Sequence, residues 1–362
     1  MTPKFQKDVL LSDHTTIGLG GKAKKFISCD SAESIINVLQ YAKDKKINVK
    51  VISAGSNIVF PDKGFDGIVL KVDIKGIENI LPDPEANKKV KKGHVKVKAG
   101  AGENWDNFVK HCIKNDLAGV ECLSGIPGSV GATPVQNVGA YGQEVKNIIY
   151  SLTALDRETF EIRNFFNKEC EFEYRQSRFK KADKDKYIIL DVVFYLIKFN
   201  KPKIKYLELQ KYLRKNAEFD KLKNGKEKLE AVRKAVLALR KKKSMVIDKK
   251  DINSRSCGSF FTNPILNQEE FEAFQKKTEK LIRKSPYFQT GDTYKIPAAW
   301  LIENAGFEKG YKKNNAGISE NHCLALVNLN GTTKELLALA NEIEKKVQKK
   351  YGIKLTIEPE II

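Results

Sequence analysis

The sequence holds no Cys-x-x-Cys pair and no His/Cys spacing of a metal site, although it has six cysteines, at 29, 112, 122, 170, 257 and 323. That excludes a zinc or iron–sulfur reading, and reduced thiols in a cytoplasm explain the six best. A long apolar run is also missing. The most apolar stretch, Ile188 to Ile197, is ten residues interrupted by Asp191, too short to span a bilayer. The opening segment, MTPKFQKDVLLSDHTT, lacks an apolar core of signal-peptide length. A cytoplasmic protein without membrane insertion is the expectation. Acidic residues are few beside basic ones, 45 against 65, so the net charge is +20 and the partner should be anionic. The lysines (Lys110, Lys211, Lys276, Lys346) are scattered over helix faces rather than gathered with aromatics on one element. This places a lysine-rich surface and phosphorylated small molecules ahead of nucleic acid, which is not expected as a partner.

What is present is ample material for more than one core: 362 residues, 41% of them hydrophobic, suggest two or three domains. Asp30 and Glu33 form a candidate capping box ahead of Ile35, Val38, Leu39 and Ala42, which share a helical face. Strands follow at 49–52 and 67–72, with the small-residue loop Ser53-Ala54-Gly55-Ser56-Asn57 between them. Residues 82–92 read as a charged, solvated excursion. Beyond it come a strand at 95–99 and a helix carrying Trp105, Phe108, Val109 and Cys112 on one face. Buried strands are expected at 148–155 and 187–196. Helices follow at 205–213 and 227–240, with capped helices starting near Asn267 and Thr332 and a first-turn proline at Pro297. The expected organisation is α+β, divided at 1–72, 73–199, 200–350 and a returning C-terminal strand at 351–362.

One stretch resists both periods. Residues 125–142, GIPGSVGATPVQNVGAYG, pack five glycines and two prolines into a segment that is neither helix nor strand. Gly125, Gly128 and Gly131 free the backbone for close approach, while Pro127 and Pro134 stiffen the turns. Such a loop can aim main-chain N–H groups at an anion; glycine and proline equally punctuate ordinary surface loops. Its length and its small, uncharged residues favour a ligand cradle.

Five ordered segments then resemble one family, UDP-N-acetylenolpyruvoylglucosamine reductase, from about Thr15 to the C-terminus. They are AGSN (54–57), the loop at 125–142, YRQSRFK (174–180), CGSFFTNP (257–264) and EPE (358–360). The Tyr-Arg-x-Ser-x-Phe-Lys form and a tyrosine near 206 resemble the longer, enterobacterial-like type. The resemblance implies a flavoenzyme with two FAD-binding subdomains and a separate domain for the UDP-sugar. NADPH gives hydride to noncovalent FAD, and UDP-N-acetylglucosamine enolpyruvate is reduced to UDP-N-acetylmuramate for peptidoglycan and cell-wall synthesis. Gly55, Ser56 and Asn57 would hold FAD together with Ile126, Pro127, Gly128, Ser129, Gly131 and Ala132, and with Asn137, Gly139 and Tyr141. The chain has Ser53 where the family commonly has glycine.

The resemblance also assigns chemistry. Reduction of the enolpyruvyl group leaves an enolate-like charge beside a carboxylate. Arg175 is the cation for it, permanently charged and able to grip a carboxylate with two parallel N–H bonds. Ser259 matches the proton donor, and Glu360 the carboxylate beside the intermediate. Tyr206, Lys243 and Asn263 match positions that contact the UDP-sugar or NADPH phosphates. Two rivals stand beside this reading. An alcohol or sugar oxidase of related architecture often attaches FAD through a histidine near the first glycine loop, and residues 49–60 contain none. A nucleic-acid-binding protein is suggested by charge alone and leaves both glycine loops unexplained.

Overall fold

The apolar face expected at Ile35, Val38, Leu39 and Ala42 is buried in α1 (Ala32–Lys45) in the computed structural model, which describes residues 2–80, 93–198, 201–215, 219–222, 224–279 and 285–362. Its cap is not the expected Asp30/Glu33 box. Ser31 stands in extended conformation one residue later and accepts from Ser34 N–H, and Ser34 returns the bond to Ser31 N–H. The compact hydroxyl at the last non-helical position reaches the third amide, so the helix starts there. The charged excursion at 82–92 lies outside the described residues.

Helices and sheets are mixed, and the chain separates into two compact units interleaved in sequence. The first comprises residues 1–8, 24–54 and 66–242; the second comprises 9–23, 55–65 and 243–362. Residues 200–242 thus group with the first unit, and the AGSN loop is divided after Ala54.

In the first unit, strand Val49–Ile52 runs parallel to 68–71. An antiparallel sheet follows in the order 162–166, 149–156, 187–198, 94–100, 77–80. Strand Tyr187–Lys198 is central, and from Asp191 onward its residues alternate between buried and half-buried, the period of a pleated strand with one face on the core. Against that face packs α2 (Trp105–Lys114), burying Trp105, Phe108, Val109, Cys112 and Ile113. The rings of Phe108 and Phe194 lie 4.5 Å apart, and the fully buried Trp105 spends its indole N–H on Leu123 O at 3.0 Å. Two further helices, α3 (Leu207–Arg214) and α4 (Gly225–Lys242), close a smaller cluster of Leu209, Leu213, Val232, Val236 and Leu239 around Cys122.

The second unit carries α5 (Gln268–Thr278), capped by Asn267, α6 (Ala298–Asn304), which Pro297 precedes, and α7 (Thr333–Tyr351), capped by Thr332. Two three-stranded sheets stand beside them. The α7 N-terminus also receives the Asp62 carboxylate, which accepts from Thr333 N at 2.7 Å and Lys334 N at 3.1 Å, placing negative charge at the positive end of the helix dipole. The C-terminal strand Glu360–Ile361 pairs parallel with Ile58–Val59. Among the described residues no helix is long and apolar enough to cross a membrane, and no group of three or more His, Cys, Asp and Glu could hold a metal ion. All six cysteines are buried free thiols.

Candidate active site

In the first unit the glycine loop is laid against the turn that joins strand 94–100 to α2. Trp105 N donates to Gly128 O (3.1 Å), Val130 N to Glu103 O (2.9 Å) and Gly131 N to Ala101 O (2.9 Å). A Cβ on Gly131 would stand 2.5 Å from Ala101 Cβ, so this glycine is required by backbone packing rather than by a ligand. Gly128 has φ +126°, a conformation that side chains disfavour. The N–H groups of Ile126, Gly128 and Ser129 donate no hydrogen bond among the described residues. Three uncommitted donors on one short turn suit a diphosphate, which accepts several charge-assisted bonds at once. Ser53, the departure from glycine, hydrogen-bonds through its hydroxyl to Ser129 on this turn.

The far half of the loop meets the YRQSRFK segment. Arg175 has φ +55°, donates from Nη2 to Gly139 O at 2.7 Å and lies 5.2 Å from the centre of the Tyr174 ring. Asn137 is fully buried, and its amide is committed within the chain, to Glu173 O at 2.8 Å and to Glu144 Oε2 at 3.3 Å. Tyr141, at φ +48°, meets the ring of Tyr206 edge to face at 5.4 Å. Burial pushes the Tyr141 phenol up to about 12, against the opposing pull of the Arg240 guanidinium. Tyr206 stands at the head of α3, 41% exposed, with its phenol raised by partial burial and by Glu208.

One pair escaped the sequence reading. Asp106, in the first turn of α2, takes a two-pronged grip from Arg233 of α4, Nη1 to Oδ1 at 2.6 Å and Nη2 to Oδ2 at 2.7 Å. Oδ1 also accepts Gly125 N at 2.6 Å, the first amide of the glycine loop. Burial alone would raise this carboxyl, but Arg233, the Gly125 amide and Lys110 together hold it below the usual carboxylate range. Its stabilising contribution is therefore present above the unfolded-state value of about 3.9 and is lost as pH falls through the lower folded value. Arg233→Met leaves a carboxylate that is only 23% exposed without its main partner. The expected cost is about 3 kcal/mol at neutral pH, the low end for breaking a buried pair. Urea midpoints should show that difference at pH 7 and a smaller one below about pH 4; equal stability at pH 7 would contradict it.

The second unit joins three of the sequence segments. Glu360 N donates to Asn57 O at 3.0 Å, and Asn57 Nδ2 to Glu358 O at 3.4 Å. The C-terminal segment in turn meets the GSFF segment, with Glu358 N donating to Phe260 O at 2.9 Å and Thr262 N to Thr356 O at 3.0 Å. Phe260 N is held by Leu324 O at 2.7 Å. Ser259 therefore sits on backbone anchored directly after it. Its half-buried hydroxyl makes no hydrogen bond among the described residues. Gly55 is fixed sterically: at φ +64° its added Cβ would lie 1.8 Å from His14 O. Asn263 spends its side-chain oxygen on Ala298 N at 2.9 Å, capping α6, while its amide nitrogen donates to nothing among the described residues. Lys243 follows the end of α4 and is the first residue of the chain's last segment in this unit. The site residues are thus shared out, with Arg175, Tyr206 and the loop at 125–142 in one unit and Ser259, Glu360, Asn263, Lys243 and residues 55–57 in the other.

The glycine loop offers amides suited to a diphosphate on a mixed α+β frame, and residues 23–161 match the family model of the FAD binding domain, which makes this an FAD-binding protein. Residues 250–362 match the model of the C-terminal domain of UDP-N-acetylenolpyruvoylglucosamine reductase. The chain is 42% identical to the UDP-N-acetylenolpyruvoylglucosamine reductase of Thermobifida fusca, over 100% of this chain and 99% of that protein. It is 38% identical to that of Flavobacterium johnsoniae, over 99% of this chain and 100% of the relative. The fold is similar to the crystal structure of UDP-N-acetylenolpyruvylglucosamine reductase from Thermus caldophilus, with a TM-score of 0.61, 22% identity and 99% and 98% of the two chains covered. The chain belongs to the UDP-N-acetylenolpyruvoylglucosamine reductase family, and it is a flavin-dependent oxidoreductase.

Proposed function

We propose that the protein reduces UDP-N-acetylglucosamine enolpyruvate to UDP-N-acetylmuramate with NADPH, in the cytoplasm, as a step of peptidoglycan precursor synthesis. FAD, when bound, relays hydride between the nicotinamide and the enolpyruvyl group. The amides of Ile126, Gly128 and Ser129 would hold its diphosphate. Arg175 grips the substrate carboxylate with its planar fork and stabilises the charge that spreads onto it. Ser259 gives its hydroxyl proton to the carbon beside that carboxylate, and Glu360 orients the groups around it. A serine hydroxyl is a weak acid, so this transfer needs the strongly basic carbon of an enolate and a fixed geometry. Asn263 offers its amide hydrogens, and Tyr206 and Lys243 their polar ends, to the UDP-sugar. Tyr206 and the Tyr-Arg-x-Ser-x-Phe-Lys form support placing the chain with the longer, enterobacterial-like type of the family.

The observation that carries this reading is the Ser259 hydroxyl, which makes no hydrogen bond among the described residues, on a segment that Glu358 N ties down through Phe260 O. A noncovalent flavin is expected from the two phosphate-suited loops and from the absence of histidine in residues 49–60. Acid precipitation of the purified protein should release the yellow colour into the supernatant. Colour retained in the pellet would mean a covalent flavin and favour an oxidase.

A further inference from the structure

We propose that Asn137 is a positioning residue for Arg175: its buried amide ties the turn carrying Arg175 to the glycine loop and so sets where the guanidinium fork stands. The inference rests on the reading of Arg175 as the carboxylate-gripping cation.

Asn137 is 0% exposed and has φ +45°, a left-handed conformation that asparagine tolerates better than most residues. Its side chain is saturated by this chain. Nδ2 donates to Glu173 O (2.8 Å) and Glu144 Oε2 (3.3 Å), and Oδ1 accepts Lys146 N (3.1 Å). No amide hydrogen is left for a cofactor, so a direct pocket role does not account for the side chain. Glu173 lies two residues before Arg175 in a tight turn closed by Glu173 N to Gln176 O (3.1 Å) and Gln176 N to Glu173 O (3.3 Å). Fixing Glu173 O therefore fixes the backbone of Arg175, itself left-handed at φ +55°. The other end of the same side chain is held two residues beyond Asn137, where Arg175 Nη2 donates to Gly139 O at 2.7 Å. Gly139 has no room for a side chain: its Cβ would lie 2.7 Å from Glu144 Cγ and 3.1 Å from Arg175 Nη1. Root and head of Arg175 are thus both referred to residues 137–139. A third stitch, Ser177 Oγ to Val135 O at 2.6 Å, joins the same two segments without using the Glu173 carbonyl. Losing the Asn137 donor leaves the fork attached but out of register, and displacement of a charge-bearing group by about 1 Å costs rate steeply.

The test uses Asn137→Asp, which keeps the acceptor for Lys146 N–H and loses the donors, and Asn137→Gly, which keeps the left-handed backbone and loses the side chain. Each is made in the wild-type and Arg175→Ala backgrounds. Dissociation constants for the enolpyruvyl substrate are measured calorimetrically on the oxidised holoenzyme, and both half-reactions by stopped flow. In the wild-type background both variants should reduce flavin within about twofold of normal, reoxidise ~10-fold or more slowly and bind substrate more weakly. In the Arg175→Ala background the same changes should add less than about twofold, because the group through which Asn137 acts is gone. Equal effects in the two backgrounds, loss of flavin by both variants, or wild-type kinetics would overturn the proposal and leave Arg175's role standing. Wild-type binding and reoxidation by Arg175→Ala would instead remove that role, and the proposal with it.

Discussion

Ser259→Ala should bleach with NADPH at a near-normal rate and then reoxidise with UDP-N-acetylglucosamine enolpyruvate ~10²-fold or more slowly than wild type. The first half-reaction needs a bound flavin and a docked nicotinamide, and the serine hydroxyl takes part in neither. The second needs a proton at the carbon beside the carboxylate, and Ser259 is the half-buried hydroxyl in the GSFF segment with no bond of its own among the described residues. The substitution removes one oxygen from a site whose backbone is held by Phe260 N to Leu324 O and Glu358 N to Phe260 O, so the fold should be unaffected. Stopped-flow absorbance separates the two rates. Slow flavin reduction with intact reoxidation would show that Ser259 is not the proton donor.

Gly128→Val should yield a folded protein that purifies without flavin and binds added FAD ~10²-fold or more weakly. At φ +126° a β-branched residue is strained, and the turn must shift to relieve it. That shift moves the amides of Ile126, Gly128 and Ser129, the donors offered to the diphosphate. Charge-assisted bonds contribute about 1.5–3 kcal/mol each, and two of them exceed the 2.7 kcal/mol or so that ~10² in affinity represents. Gly131→Val would fail for another reason, since its Cβ runs into Ala101 and the damage is to packing. Circular dichroism near that of wild type with no visible absorbance is the expected pair of results; a yellow Gly128→Val with normal FAD affinity would contradict the assignment of the loop.

Much of this was legible in the chain because it is local. The helical faces of α1 and α2 and the caps at Asn267 and Thr332 are written within four or five residues. The two strand-to-loop glycine segments are equally plain. What pairs across long separations was not. The sequence divides naturally by chain order, whereas the units are interleaved because Glu360 pairs with Ile58 and Asn328 Nδ2 reaches Ile17 O and Gly18 O. Asp106 reads as an ordinary first-turn acid until Arg233 arrives from 127 residues away. The family resemblance groups Asn137 with the cofactor residues, and nothing local in the chain says that its side-chain amide reaches Glu173 and Glu144. Asn263 likewise shows its capping of Ala298 only in three dimensions.

Reduction of an enolpyruvyl UDP-sugar by way of a bound flavin can be followed in one anaerobic absorbance experiment on the purified protein. The visible flavin bands should be present as isolated, disappear on adding NADPH, and return in full on adding UDP-N-acetylglucosamine enolpyruvate. A colourless protein, or a flavin that bleaches with NADPH and stays bleached in the presence of that substrate, would contradict it.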